Sequence, residues 1–115
     1  MPLRLVLGSD WPIAPCPPLG VMAGARHRRP TRDLTGAPHG AEQALSGLEA
    51  LQGMTVNAAW AAGEEKEAGR IQVGYRADLT VLAADPLTVD ATDLPDLPVR
   101  LTVVDGRPTY RDVSL

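Results

Sequence analysis

Phenylalanine is absent from this 115-residue chain and aromatic residues make up only 3% of it, so any core has to be built from Leu, Val, Ala, Ile and Met. The single cysteine, Cys16, excludes an intrachain disulfide and any CxxC redox or metal site, and it fits a reducing, cytoplasmic setting. Histidines number two, His27 and His39, too few for a histidine-rich metal centre. No apolar run approaches the roughly 18 residues that a membrane-spanning helix needs, and the opening segment does not read as a secretory leader. A net charge of -3 and a pI near 5.2 give no attraction for polyanions, so neither nucleic acid nor a membrane is an expected partner. The one basic cluster, Arg26, Arg28, Arg29 and Arg32 around His27, lacks interleaved aromatics and reads as a solvated loop or contact surface.

What is present is unevenly distributed. Eleven glycines and eleven prolines exceed average usage, and many fall in the first forty positions, so that part is expected to be irregular. Residues 3–8, Leu-Arg-Leu-Val-Leu-Gly, suit a mostly buried strand ending at Ser9 and Asp10. Four prolines between 11 and 18 forbid regular structure and predict a loop leaving that strand. A short helix is expected over about 19–27, then polar irregular chain to about 44.

Ser46 and Glu49 have capping-box spacing, with Leu45 and Ala50 placed for a hydrophobic staple. Leu48, Leu51, Thr55, Ala58, Ala59 and Ala62 recur at helical spacing, and Gly63 supplies a stop, so the pattern predicts one helix over 47–62. Asn57 and Thr55 are expected to tie that helix to neighbouring backbone, and Glu64–Glu67 to form a solvated edge. After Gly69 the period shortens. Arg70–Val73 alternates briefly, 77–82 and 99–104 read as strands, and Asp105-Gly106 is a tight-turn signal before a return strand from Thr109, a small β unit over about 69–113. Asp78 is expected to fix a turn.

In order, Leu-Gly-Ser-Asp-Trp-Pro at 7–12 with its Pro-rich loop, Met-Thr-Val-Asn-Ala-Ala at 54–59, Gly-Arg-Ile-Gln-Val-Gly-Tyr-Arg-Ala-Asp-Leu-Thr-Val-Leu at 69–82, and Val-Val-Asp-Gly at 103–106 with Tyr110 form one pattern. It resembles the end of the amidohydrolase superfamily, specifically its amidohydrolase-3 branch. The resemblance implies an α/β fold: the C-terminal end of a metal-dependent (β/α)8 TIM barrel plus the C-terminal part of its β-sandwich. It implies a division into 1–68, with the last barrel strand, loop and closing helices, and 69–115, with strands of the composite sandwich.

The same resemblance implies hydrolysis of a small-molecule amide or N-acyl carbon–nitrogen bond through a metal-activated water. Asp10, at the C-terminal end of the last barrel strand where barrel active sites lie, would be the catalytic residue and a ligand of a divalent metal, Zn2+ by preference. It would take a proton from the attacking water and deliver it to the departing nitrogen. Trp11, next in the chain, has two readings: a wall of the substrate pocket, or packing over the barrel mouth. The family's His-x-His pair, bridging ligand and later histidines have no counterpart here, and His27 and His39 occupy no ligand position. The chain is therefore expected to need a missing N-terminal barrel portion and to be inactive alone. The competing expectation is a noncatalytic, partner-binding fragment or a pseudogene relic.

Overall fold

The computed structural model describes residues 3–114. Met1, Pro2 and Leu115, at the outer ends of the two expected domains, lie outside the described residues. Three helices come first: α1 (Pro18–His27), α2 (Gly47–Met54) and α3 (Val56–Ala61). They are followed by β1 (Leu79–Leu82), β2 (Val99–Val104) and β3 (Arg107–Arg111), which form an antiparallel meander in the order β1-β2-β3.

α1 begins at a proline, whose missing amide costs nothing in a first turn, and ends with Arg28 in the left-handed region donating to the Gly24 carbonyl at 2.9 Å. α2 starts with the expected capping box: Ser46 Oγ accepts from the Glu49 amide at 3.1 Å, and Glu49 Oε2 accepts from the Ser46 amide at 2.8 Å. Asp105 and Gly106, at φ 48° and 77°, make the β2–β3 turn, where both central residues need positive φ. Asp78 braces that turn, its Oδ1 accepting from the Asp105 amide at 2.8 Å.

Four sequence expectations are corrected. Residues 3–8 carry no strand, because among the described residues no segment offers them a ladder; Leu3 is 99% exposed. The single helix over 47–62 is two helices broken at Thr55, whose φ of -125° and ψ of -92° leave the helical region. Thr55 Oγ1 donates to the Leu51 carbonyl at 2.8 Å, the back-bonding that bends helices, and Val56 adds a second β-branched residue there. Leu48, expected on the packed face, is exposed, while Ala50 and Gly53 are buried instead. Finally, residues 70–73 form no strand: the chain turns, with the Tyr75 amide on the Gln72 carbonyl, and leaves Ile71 and Val73 in water.

The core is small. Met22, Ala23, Ala50 and Leu94 are its buried centre, with Leu7, Leu19, Leu45, Leu51, Met54, Val89 and Leu97 packed around it. Leu94, in a short 3-10 turn at Leu94–Asp96, joins the β half to α1 and α2. The chain exposes 8039 Å2, whereas a compact monomer of 12.2 kDa presents about 6,000 Å2. Large apolar residues lie on that surface, among them Leu5, Ile13, Trp60 and Val81.

Candidate active-site segment around Asp10

Asp10 stands where residues 3–9 leave the core. Three contacts fix that approach: the Leu7 amide donates to the Gly53 carbonyl at 3.1 Å, Asn57 Nδ2 donates to the Leu5 carbonyl at 3.0 Å, and the Arg4 guanidinium lies 4.6 Å from the centre of the Trp60 ring. Gly53 is what lets the segment come this close. A Cβ there would sit 2.9 Å from Leu7 Cγ, so any larger residue pushes the segment off α2. A glycine inside a helical pattern costs about 1 kcal/mol against alanine and points to a packing reason, but here its partner is 46 residues away and invisible to local reasoning.

Asp10 itself has φ 51°, a left-handed conformation that aspartate tolerates better than most residues. Its carbonyl accepts from the Ile13 amide at 2.9 Å, closing a turn that leads into the prolines. Among the described residues nothing hydrogen-bonds its carboxylate, which is exposed. Trp11, next in the chain, is 68% exposed and covers no core. Beside them runs an open groove of ≈ 640 Å3, whose walls include Gly8, Ser9, Pro15, Val21, Thr31 and Arg32. Asp10 and Trp11 do not line it.

The expected metal chemistry can be tested on the donor set. Among the described residues no group of three or more His, Cys, Asp and Glu comes together, so these residues do not form a metal site by themselves. His39 donates its amide to the Arg28 carbonyl, and His27 caps the end of α1. Neither histidine joins Asp10.

The basic cluster has a structural role. Arg26 Nη1 reaches the Val89 carbonyl at 3.0 Å and the Pro86 carbonyl at 3.4 Å, clamping α1 to the 85–90 turn. Arg28 Nε donates to the His39 carbonyl and Arg29 Nε to the Gly36 carbonyl, which folds the 28–44 loop back on itself. Arg32 pairs with Asp96 at 3.0 Å in a solvated contact. The sequence carried no sign of these partners, because carbonyls have no residue-type signature.

The described residues contain no helix long and apolar enough to cross a membrane. The chain is 35% identical over 103 residues to YtcJ of Bacillus subtilis (strain 168), a protein assigned to the amidohydrolases; the match takes in 90% of this chain and 20% of that protein. It is 38% identical over 104 residues to the N-substituted formamide deformylase of Arthrobacter pascens, covering 90% of this chain and 19% of that enzyme. The chain thus spans about a fifth of the length of the curated relatives it matches. The crystal structure of an amidohydrolase from Thermotoga maritima MSB8 superposes with a TM-score of 0.51 at 27% identity, covering 62% of this chain and 17% of that one. With the family model for amidohydrolases of the amidohydrolase-3 branch matching residues 1–110, the chain belongs to the amidohydrolase family.

Proposed function

We propose that this chain is the C-terminal portion of a metal-dependent amidohydrolase that hydrolyses amide or N-acyl carbon–nitrogen bonds of small molecules in the cytoplasm, and that it is inactive without the rest of the barrel. The observation that carries the reading is the segment at 3–10: within a family match over 1–110, it leaves Leu3, Leu5 and Val6 in water and ends on an unbonded, exposed carboxylate. On this reading residues 3–8 pair with neighbouring barrel strands that this chain does not contain. Residues 1–68 close the barrel, and 69–115 contribute β1–β3 to a composite sandwich whose other strands lie elsewhere.

Asp10 then stands at the barrel mouth as general base and acid, accepting a proton from the attacking water and returning it to the departing nitrogen. Trp11 borders the substrate. The metal, Zn2+ by preference, would need its remaining ligands from the missing portion, since among the described residues no group of three or more His, Cys, Asp and Glu comes together.

The test is a graft. Residues 1–110 replace the matching segment of the Arthrobacter pascens enzyme, and hydrolysis of an N-substituted formamide is measured alongside folding. The expected result is an active chimera in which Asp10→Ala lowers kcat by about 10²-fold or more while the protein stays folded. An active chimera whose rate does not change with Asp10→Ala removes Asp10 from the chemistry, and a folded chimera without activity removes the hydrolase reading of this chain.

A further inference from the structure

The turn that ends α1 contains a buried group with an unmet hydrogen bond. His27 Nδ1 accepts from the Arg29 amide at 3.1 Å, so the neutral ring carries its proton on Nε2. That Nε2 is shut off from water and has no partner among the described residues. The charged groups acting on the ring are Arg29 and Arg26 from its own segment and Asp90 from the 85–90 turn. The Asp90 carboxylate is already engaged, Oδ1 accepting from the Thr92 amide at 2.9 Å and the Thr92 hydroxyl at 2.8 Å.

We infer that His27 is an acid-sensitive latch: its neutral ring holds the 28–44 loop closed, and protonation at Nδ1 releases that loop. The added proton takes the one lone pair that receives the Arg29 amide, so two donors then face each other. It also puts a positive charge beside Arg29 and Arg26 while Nε2 stays shut off from water. Burial first, then Arg29 and Arg26, hold the ring below its usual value of 6.5, and Asp90 opposes them. Once the ring is protonated, the least costly relief is to open the turn at Arg28–Arg29, where the loop begins. The Arg28 Nε bond to His39 and the Arg29 Nε bond to Gly36 go with it. The same loop supplies Thr31 and Arg32 to the wall of the groove beside Ser9, so acid would open the flank of the Asp10 segment.

The experiment is an amide NMR titration of the whole chain from pH 7.5 to 5.0, with the His27→Asn variant beside it. Asn Oδ1 can accept from the Arg29 amide as Nδ1 does, but it does not titrate. The expected result is a transition below pH 6.5 in the Arg29 amide and in the non-proline amides of 31–44, with exchange at Arg29 accelerated about five-fold or more beyond the intrinsic pH effect. The same amides stay level in His27→Asn, and β2 amides stay level in both proteins. A pH-independent Arg29 amide, an equal transition in His27→Asn, or a transition spread over β2 as well would each overturn the latch. So would a wild-type chain without dispersed amides at pH 7.5, because the latch presupposes a folded α1.

Discussion

Substituting Gly69 with alanine should be far more damaging than the same change at Gly63, and the difference measures how tightly α3 is packed on the crossing into the β half. Both glycines have positive φ, 86° and 74°, so each variant incurs the left-handed penalty of about 1–2 kcal/mol. At Gly63 a Cβ meets open space, and that penalty is the whole effect. At Gly69 a Cβ would sit 2.8 Å from the Ala59 Cβ, 3.0 Å from the Thr55 carbonyl oxygen and 3.2 Å from Val56 Cα. None of these is the end of a flexible side chain, so α3 itself has to shift, which adds about 1–3 kcal/mol of overpacking. Gly69→Ala should therefore lose about 2–5 kcal/mol, enough to unfold a chain with so small a core. Urea denaturation followed by circular dichroism on the two variants and wild type gives the comparison. Equal losses at the two positions, within about 0.5 kcal/mol, would refute the packing argument.

Leu94 is the largest fully buried side chain and links α1, α2 and the β half, so Leu94→Ala should cost about 2–5 kcal/mol by the same denaturation assay, whereas Val113→Ala, at a fully exposed position, should stay within about 0.5 kcal/mol of wild type. Ser46→Ala removes the acceptor for the Glu49 amide and should lower stability by about 1 kcal/mol, with thermal melting as the check. The hydrogen bond from the Asp105 amide, and then the one from Arg76, hold the Asp78 carboxyl below its usual 3.8. Because the folded value is the lower one, the stabilisation is full above about pH 4 and is lost as pH falls through the folded value. Acidification should therefore loosen the Asp105–Gly106 turn, seen as a shift of the Asp105 amide, and Asp78→Asn should abolish that pH dependence.

How much was legible in the sequence depended on whether each signal was local. The helix over about 19–27, the Ser46–Glu49 box, the 99–104 strand and the Asp105–Gly106 turn all rest on residues within a few positions of one another and stand in the structure, whereas the strand expected over 77–82 begins only at Leu79 and the return strand expected from Thr109 begins at Arg107. The tying roles of Asn57 and Thr55 were also foreseen, though not their partners, Leu5 and Leu51. The segments at 3–8 and 70–73 have the composition of strands but no ladder among the described residues, and a strand cannot exist without one. The helical pattern at 47–62 was right in type and wrong in continuity, because the break depends on how Thr55 bonds back to Leu51.

By itself, the sequence determined the family pattern, the capped start of α2 and the hairpin, since each is written in residue type and spacing; Asp10 was singled out only through the family resemblance. Only the tertiary structure decided that Gly53 admits the segment carrying Asp10, that Arg26 clamps α1 to the 85–90 turn, that His27 ends with a buried nitrogen without a partner among the described residues, and that Leu3, Leu5 and Val6 lie open to water. The physical reason is that close approach, burial and a carbonyl acceptor are properties of two distant segments at once, and neither segment records them alone.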